Sequence, residues 1–119
     1  MQFDHRGKTY ELKVELAAGK GVEIIAEERR RQIVVEGWTP EHDAQHTDES
    51  IAYAAACYAI PHNGRNIFAG QGGLSDIFHL LWPWAKSWWK PSPDDRIKEL
   101  AKAGALIAAE IDRLIAIGK

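Results

Sequence analysis

Along residues 93–117 apolar side chains recur at Ile97, Leu100, Ile107, Ile111 and Leu114, with Gly104 in the gap, at spacings of three and four. That is the period of one face of an α-helix. A helix of this length needs other elements to lie against, so the pattern constrains the whole chain. Ser92 reads as its cap, Pro93 as its first helical residue, and Asp94 and Asp95 as acids in its first turn. Gly104 costs about 1 kcal/mol relative to alanine in a helix interior. It is therefore expected to admit the alanine face of a second helix.

Two further segments supply helices. Residues 22–36, VEIIAEERRRQIVVE, carry Ile24, Ile25, Ile33 and Val34 among charges that pair at helical spacing. Gly37 is the expected left-handed cap, and Pro40 blocks continuation. Residues 48–60 form the alanine-rich second helix, with Thr47 as cap and Asp48 and Glu49 in the first turn. Its body, SIAYAAACYAI, has side chains small enough for close approach, and Pro61 stops it. Before these, residues 2–15 alternate around Arg6-Gly7 as a β-hairpin, which must pack on helices or on another chain because a lone hairpin is marginal. Residues 61–91 are irregular, apart from a short helix expected over Ser75–Leu81. The expected fold is mainly α: one domain over 1–119, a three-helix core, a hairpin over 1–17 and a long tryptophan-rich loop.

Composition removes several function classes. The formal net charge of −2 argues against broad nucleic-acid binding, which needs a basic face. No segment approaches the roughly 18 apolar residues of a membrane span. One cysteine, Cys57, excludes an intramolecular disulfide and fits a reducing compartment. The expected location is the cytoplasm.

The runs ERRRQIVVEGWTPEHDAQHTDE, AAACYA, LWPW, WWKP and KAGALIAAEIDRL occur in this order. In them the chain resembles a widespread family of small phage and prophage proteins without an assigned function, over about Glu27 to Leu114. The resemblance implies a phage or prophage origin and expression in a bacterial host cell. It implies no activity and no catalytic residues.

Two constellations could carry chemistry. In EGWTPEHDAQHTDE, His42 and His46 stand four apart, and Asp43 and Glu49 could complete a zinc or manganese set. The structural alternative is that these residues satisfy loop and helix-end backbone, with Trp38 anchoring the turn. His42-Asp43 also resembles the pair of HD hydrolases, whose further ligands are missing here. The helix layout is similar to MazG-type pyrophosphohydrolases, and Glu23, Glu27 and Glu28 could form one acidic pair for magnesium. The facing pair is missing, and Glu110 and Asp112 are two apart.

The second constellation is Trp82, Trp84, Trp88 and Trp89, four of the five tryptophans in the chain. Flat rings beside Arg65, Lys86, Lys90 and Arg96 suit a nucleotide, at about 1–3 kcal/mol per stacked base. The alternative for each ring is core packing. Gly70-Gln71-Gly72-Gly73 lacks the strand and lysine of a phosphate loop and reads as a flexible connection. Cys57 reads as buried and inert, and Arg29-Arg30-Arg31 as a solvated helix face.

The sequence thus favours a non-enzymatic binder of a small nucleotide-like ligand through Trp38, Trp82, Trp84, Trp88, Trp89, Lys90, Arg65 and Arg96, with a pocket that could lie between protomers of a homo-oligomer. The competing classes are a metal-dependent nucleotide hydrolase and a protein-interaction module that uses the hairpin and the tryptophans.

Overall fold

The fold comes from a computed structural model that describes residues 19–61 and 81–119. The expected hairpin, the short helix over Ser75–Leu81 except for its last residue, Arg65, His62 and the Gly70–Gly73 run lie outside the described residues. Among the described residues the regular structure is helical, with no strand. Four α-helices follow in order: α1 (Lys20–Val34), α2 (Pro40–Asp43), α3 (Ser50–Ala59) and α4 (Arg96–Ala116). A 3-10 turn at Lys86–Trp88 lies in the tryptophan segment. No helix among the described residues is long and apolar enough to cross a membrane.

The long helix α4 is the spine, and both α3 and α1 pack against it. Ile51, Ala54, Ala55, Tyr58, Ala103, Leu106 and Ala109 form the buried centre. Small side chains on both helices let the backbones approach closely, and tryptophan rings complete the core where alanine leaves it thin. Trp38, Trp82, Trp84 and Trp89 all pack against it.

Gly104 meets a different partner from the one expected. A Cβ there would stand 2.6 Å from Cδ1 and 2.8 Å from Cγ1 of Ile25. The glycine therefore admits an isoleucine of α1, not the alanines of α3. The alanines of α4 already serve α3, because they lie on the flank next to the Gly104 face.

Two helix starts also shift. Asp95, not Ser92, caps α4, its side chain accepting from the Lys98 amide at 3.0 Å. The Ser92 amide instead donates to Glu99 Oε2 at 2.9 Å, and Ser92-Pro93-Asp94-Asp95 is a turn before the helix. Glu49, not Thr47, occupies the cap position of α3, in the left-handed conformation (φ 65). Asp48 Oδ1 accepts from the Ser50 amide at 3.2 Å. In both places the nearer carboxylate reaches the exposed amides of the first turn. Gly37 does adopt the expected left-handed conformation after α1, at φ 76. Pro40, besides stopping α1, opens α2, and Thr39 caps it by accepting from the His42 amide at 3.2 Å.

Candidate functional site

The joint between α1 and α3 is held by one ion pair. Arg29 donates to Asp43 Oδ2 at 3.0 Å and to the Trp38 carbonyl at 3.2 Å. Both side chains are nearly buried, at 12% and 8% exposure. Arg29 was expected on a solvated face with Arg30 and Arg31. It lies instead on the inward face that carries Ile25 and Gln32, spacings of four and three along α1, and that periodicity is the one signal that could have found it. Arg31 is engaged by Glu28 (2.7 Å) and Glu36 (3.1 Å), and these carboxylates raise its pKa. Of the three arginines, Arg30 is the exposed one.

With the joint fixed, the two histidines stand together. The His42 and His46 rings are 5.1 Å apart, centre to centre. His42 Nδ1 lies 3.4 Å from Asp43 Oδ1, and His46 Nδ1 lies 3.2 Å from Ser50 Oγ. These are two separate pairs. No single imidazole bridges the carboxylate and the hydroxyl, so the arrangement is not a relay for activating a serine. Anchored at Nδ1, each ring keeps Nε2 for another partner.

The tryptophan segment folds back onto this turn. Trp84 lies 5.3 Å from His46 and 6.3 Å from Trp38, centre to centre. Between the joint and this segment is a cavity of about 340 Å³, within the usual range for small-molecule sites. Its walls are Trp38, Trp84 and Trp88, with His42, His46 and Asp43 at the turn. Ile51 and Leu106 close it from the core. The two constellations that the sequence presents 40 residues apart are therefore one site. Trp84 Nε1 is buried with no hydrogen-bond partner among the described residues.

The remaining candidates are placed elsewhere. Trp82 and Trp89 pack on Tyr58 at 5.7 and 4.7 Å, the first edge-on and the second tilted, and on each other edge-on at 5.0 Å, on the core side. Trp82 does not line the cavity among the described residues and meets Trp84 edge-on at 5.4 Å. Arg96 donates to the carbonyls of Tyr58 (3.1 Å), Ala59 and Ile60 (3.4 Å), which satisfies the open C-terminus of α3. Lys90 Nζ lies over the Trp88 ring at 5.9 Å, at the outer edge. Glu49 belongs to the other end of α3, where it faces Glu110 and Arg113. Among the described residues no group of three or more His, Cys, Asp or Glu side chains is arranged to hold a metal ion. Cys57 is buried in α3, as its alanine neighbours suggest.

Among the described residues the cavity lining contains one carboxylate, Asp43, whose charge Arg29 already balances. The rest is ring faces, imidazole and aliphatic surface. Such a site can stack and hydrogen-bond a planar heterocycle. Among the described residues its walls hold no lysine or arginine for a phosphate. No protein-family model, no curated protein and no solved structure matches the chain.

Proposed function

We propose that the chain is a small-ligand-binding protein that takes up the base of a nucleotide-like molecule in the aromatic cavity. The carrying observation is the convergence of Trp38, Trp84, Trp88, His42 and His46 on one space of about 340 Å³. Stacking against these rings supplies about 1–3 kcal/mol per base. The sugar and phosphate end would lie toward solvent near Lys86 and Lys90. With the resemblance to phage proteins, this reading extends to sequestration of a nucleotide-type signal of the host's immune system. A binder needs only shape, stacking and hydrogen bonds, and the two separate histidine pairs fit that better than turnover.

The test is a thermal-shift and calorimetric screen with nucleosides, linear and cyclic nucleotides, ADP-ribose derivatives and divalent metals. A ligand at 100 times its Kd adds about 2.7 kcal/mol to stability, a shift of several degrees for a domain of this size. A metal-independent shift with recovery of unchanged ligand is the expected result. A shift that requires metal, followed by turnover, would replace this reading with the hydrolase. Silence from every compound would overturn it in favour of a protein partner.

A further inference from the structure

A second, smaller space adjoins the aromatic cavity, and Trp38, Trp88 and Leu106 line both. Its volume is about 30 Å³, room for one water molecule or one amino group. Gln32 of α1 is part of its wall and is buried, at 1% exposure. The Gln32 Nε2 donates to Glu28 Oε2 at 3.3 Å. Glu28 is itself fixed, because Arg31 donates to both of its oxygens, at 2.7 and 2.9 Å. A flipped Gln32 amide would set its oxygen against that carboxylate, so the orientation of the amide is determined. Gln32 Oε1 is then a buried acceptor that no donor among the described residues reaches. The cations around the same space are engaged elsewhere. Arg31 serves Glu28 and Glu36, and Lys102 Nζ donates to the Lys90 carbonyl at 2.7 Å.

We propose that Gln32 determines which base the protein takes: its Oε1 accepts a hydrogen bond from an amino group on the edge of the base. The proposal rests on the reading of the aromatic cavity as a base-binding site. The chemistry of the small space selects the group. An unanswered acceptor is satisfied by a donor, and it disfavours a carbonyl or phosphate oxygen. The carboxylates of Glu28 and Glu36 line the same space and add to that preference. The volume excludes a sugar or a phosphate and accommodates an amino group. The shared walls supply the route, because a base lying against Trp38 or Trp88 borders both spaces. The ligand class is therefore an amino-bearing base. A base with only hydrogen at that position leaves the acceptor buried and unpaired, which is how a site built for an N–H rejects an analogue without one.

Calorimetry of the full chain with matched nucleosides tests the proposal. The pairs are adenosine with purine riboside, guanosine with inosine, and cytidine with 2-pyrimidinone riboside. Within each pair an amino group is replaced by hydrogen and the rest of the base is kept. In at least one pair the amino-bearing member should bind about tenfold more tightly, the equivalent of about 1.4 kcal/mol for one hydrogen bond. Gln32→Met removes the acceptor at similar length. It should erase that preference and leave the affinity of the amino-free member unchanged, with circular dichroism confirming the helical fold. The comparison within pairs needs no variant, so it stands even where Gln32→Met does not fold. Equal affinity within every pair would overturn the proposal and assign the small space to a bound water, with base binding itself intact. A preference that a folded Gln32→Met retains would overturn it as well. Binding of none of the six nucleosides would overturn this proposal and the base-binding reading together.

Discussion

Arg29 and Asp43, fourteen residues apart, meet at 3.0 Å and hold the histidine turn against α1. The pair is nearly buried, so removing one partner leaves a charge without compensation. Arg29→Met is expected to destabilise the fold by about 3 kcal/mol. It should also release the turn that positions His42 and His46. Arg29→Met with Asp43→Asn should recover most of the stability, because no naked carboxylate remains. Urea denaturation of the three chains measures this. Equal loss in the single and double variants would mean that the Trp38 carbonyl contact, not the ion pair, holds the joint.

Trp88 and Trp82 should separate binding from folding. Trp88 is 48% exposed at the cavity wall, and its removal uncovers little core. Trp88→Ala is expected to weaken ligand binding by tenfold or more, the equivalent of about 1.4 kcal/mol of stacking. Its melting temperature should stay close to that of the parent. Trp82 packs edge-on against both Tyr58 and Trp89 on the core side. Trp82→Ala should cost about 3–5 kcal/mol of stability. Calorimetry and thermal melts on both variants check the contrast, which the opposite assignment of rings would reverse.

Gly104→Ala tests the crossing of α1 over α4. Helix propensity alone would favour alanine by about 1 kcal/mol. The new Cβ, however, would press into Ile25 at 2.6–2.8 Å. Overpacking of this kind costs about 1–3 kcal/mol, so a net loss of roughly 1 kcal/mol is expected. Combined with Ile25→Ala, the same glycine replacement should become neutral or stabilising. Denaturant midpoints of the four chains in this cycle give the coupling directly, and strict additivity would show that the helices adjust without strain.

Acid sensitivity should reside in Glu110. Its carboxylate accepts from Arg113 at 2.6 and 2.9 Å, and both side chains are buried. The Arg113 hydrogen bonds hold its pKa below the ordinary value of 4.5. A carboxylate with a depressed folded pKa stabilises the fold above its ordinary value. That contribution is lost as pH falls through the depressed value. Melting temperature should therefore decline below about pH 4.5 in the parent chain. Glu110→Gln should start lower and show a shallower acid decline. An identical acid slope in both chains would assign the effect to other carboxylates.

Local pattern alone determined three things. The three long helices follow from apolar period and helix formers, because each depends on residues three and four apart. The break after α1 follows from Gly37 and Pro40, whose backbone preferences act within one or two bonds. The aromatic and histidine residues were recognisable as unusual by their chemistry. Tertiary structure decided the rest. It placed three tryptophans at the cavity and two against Tyr58, set Glu49 and Arg96 to helix ends, and drew Arg29 inward. It also turned the isoleucine stripe of α4 outward and its alanines inward. Periodicity tells which residues share a helix face, but the face that becomes core depends on which neighbour arrives there. Here that choice rests on how closely alanine lets two backbones approach, a property of the pair of helices that neither segment carries alone.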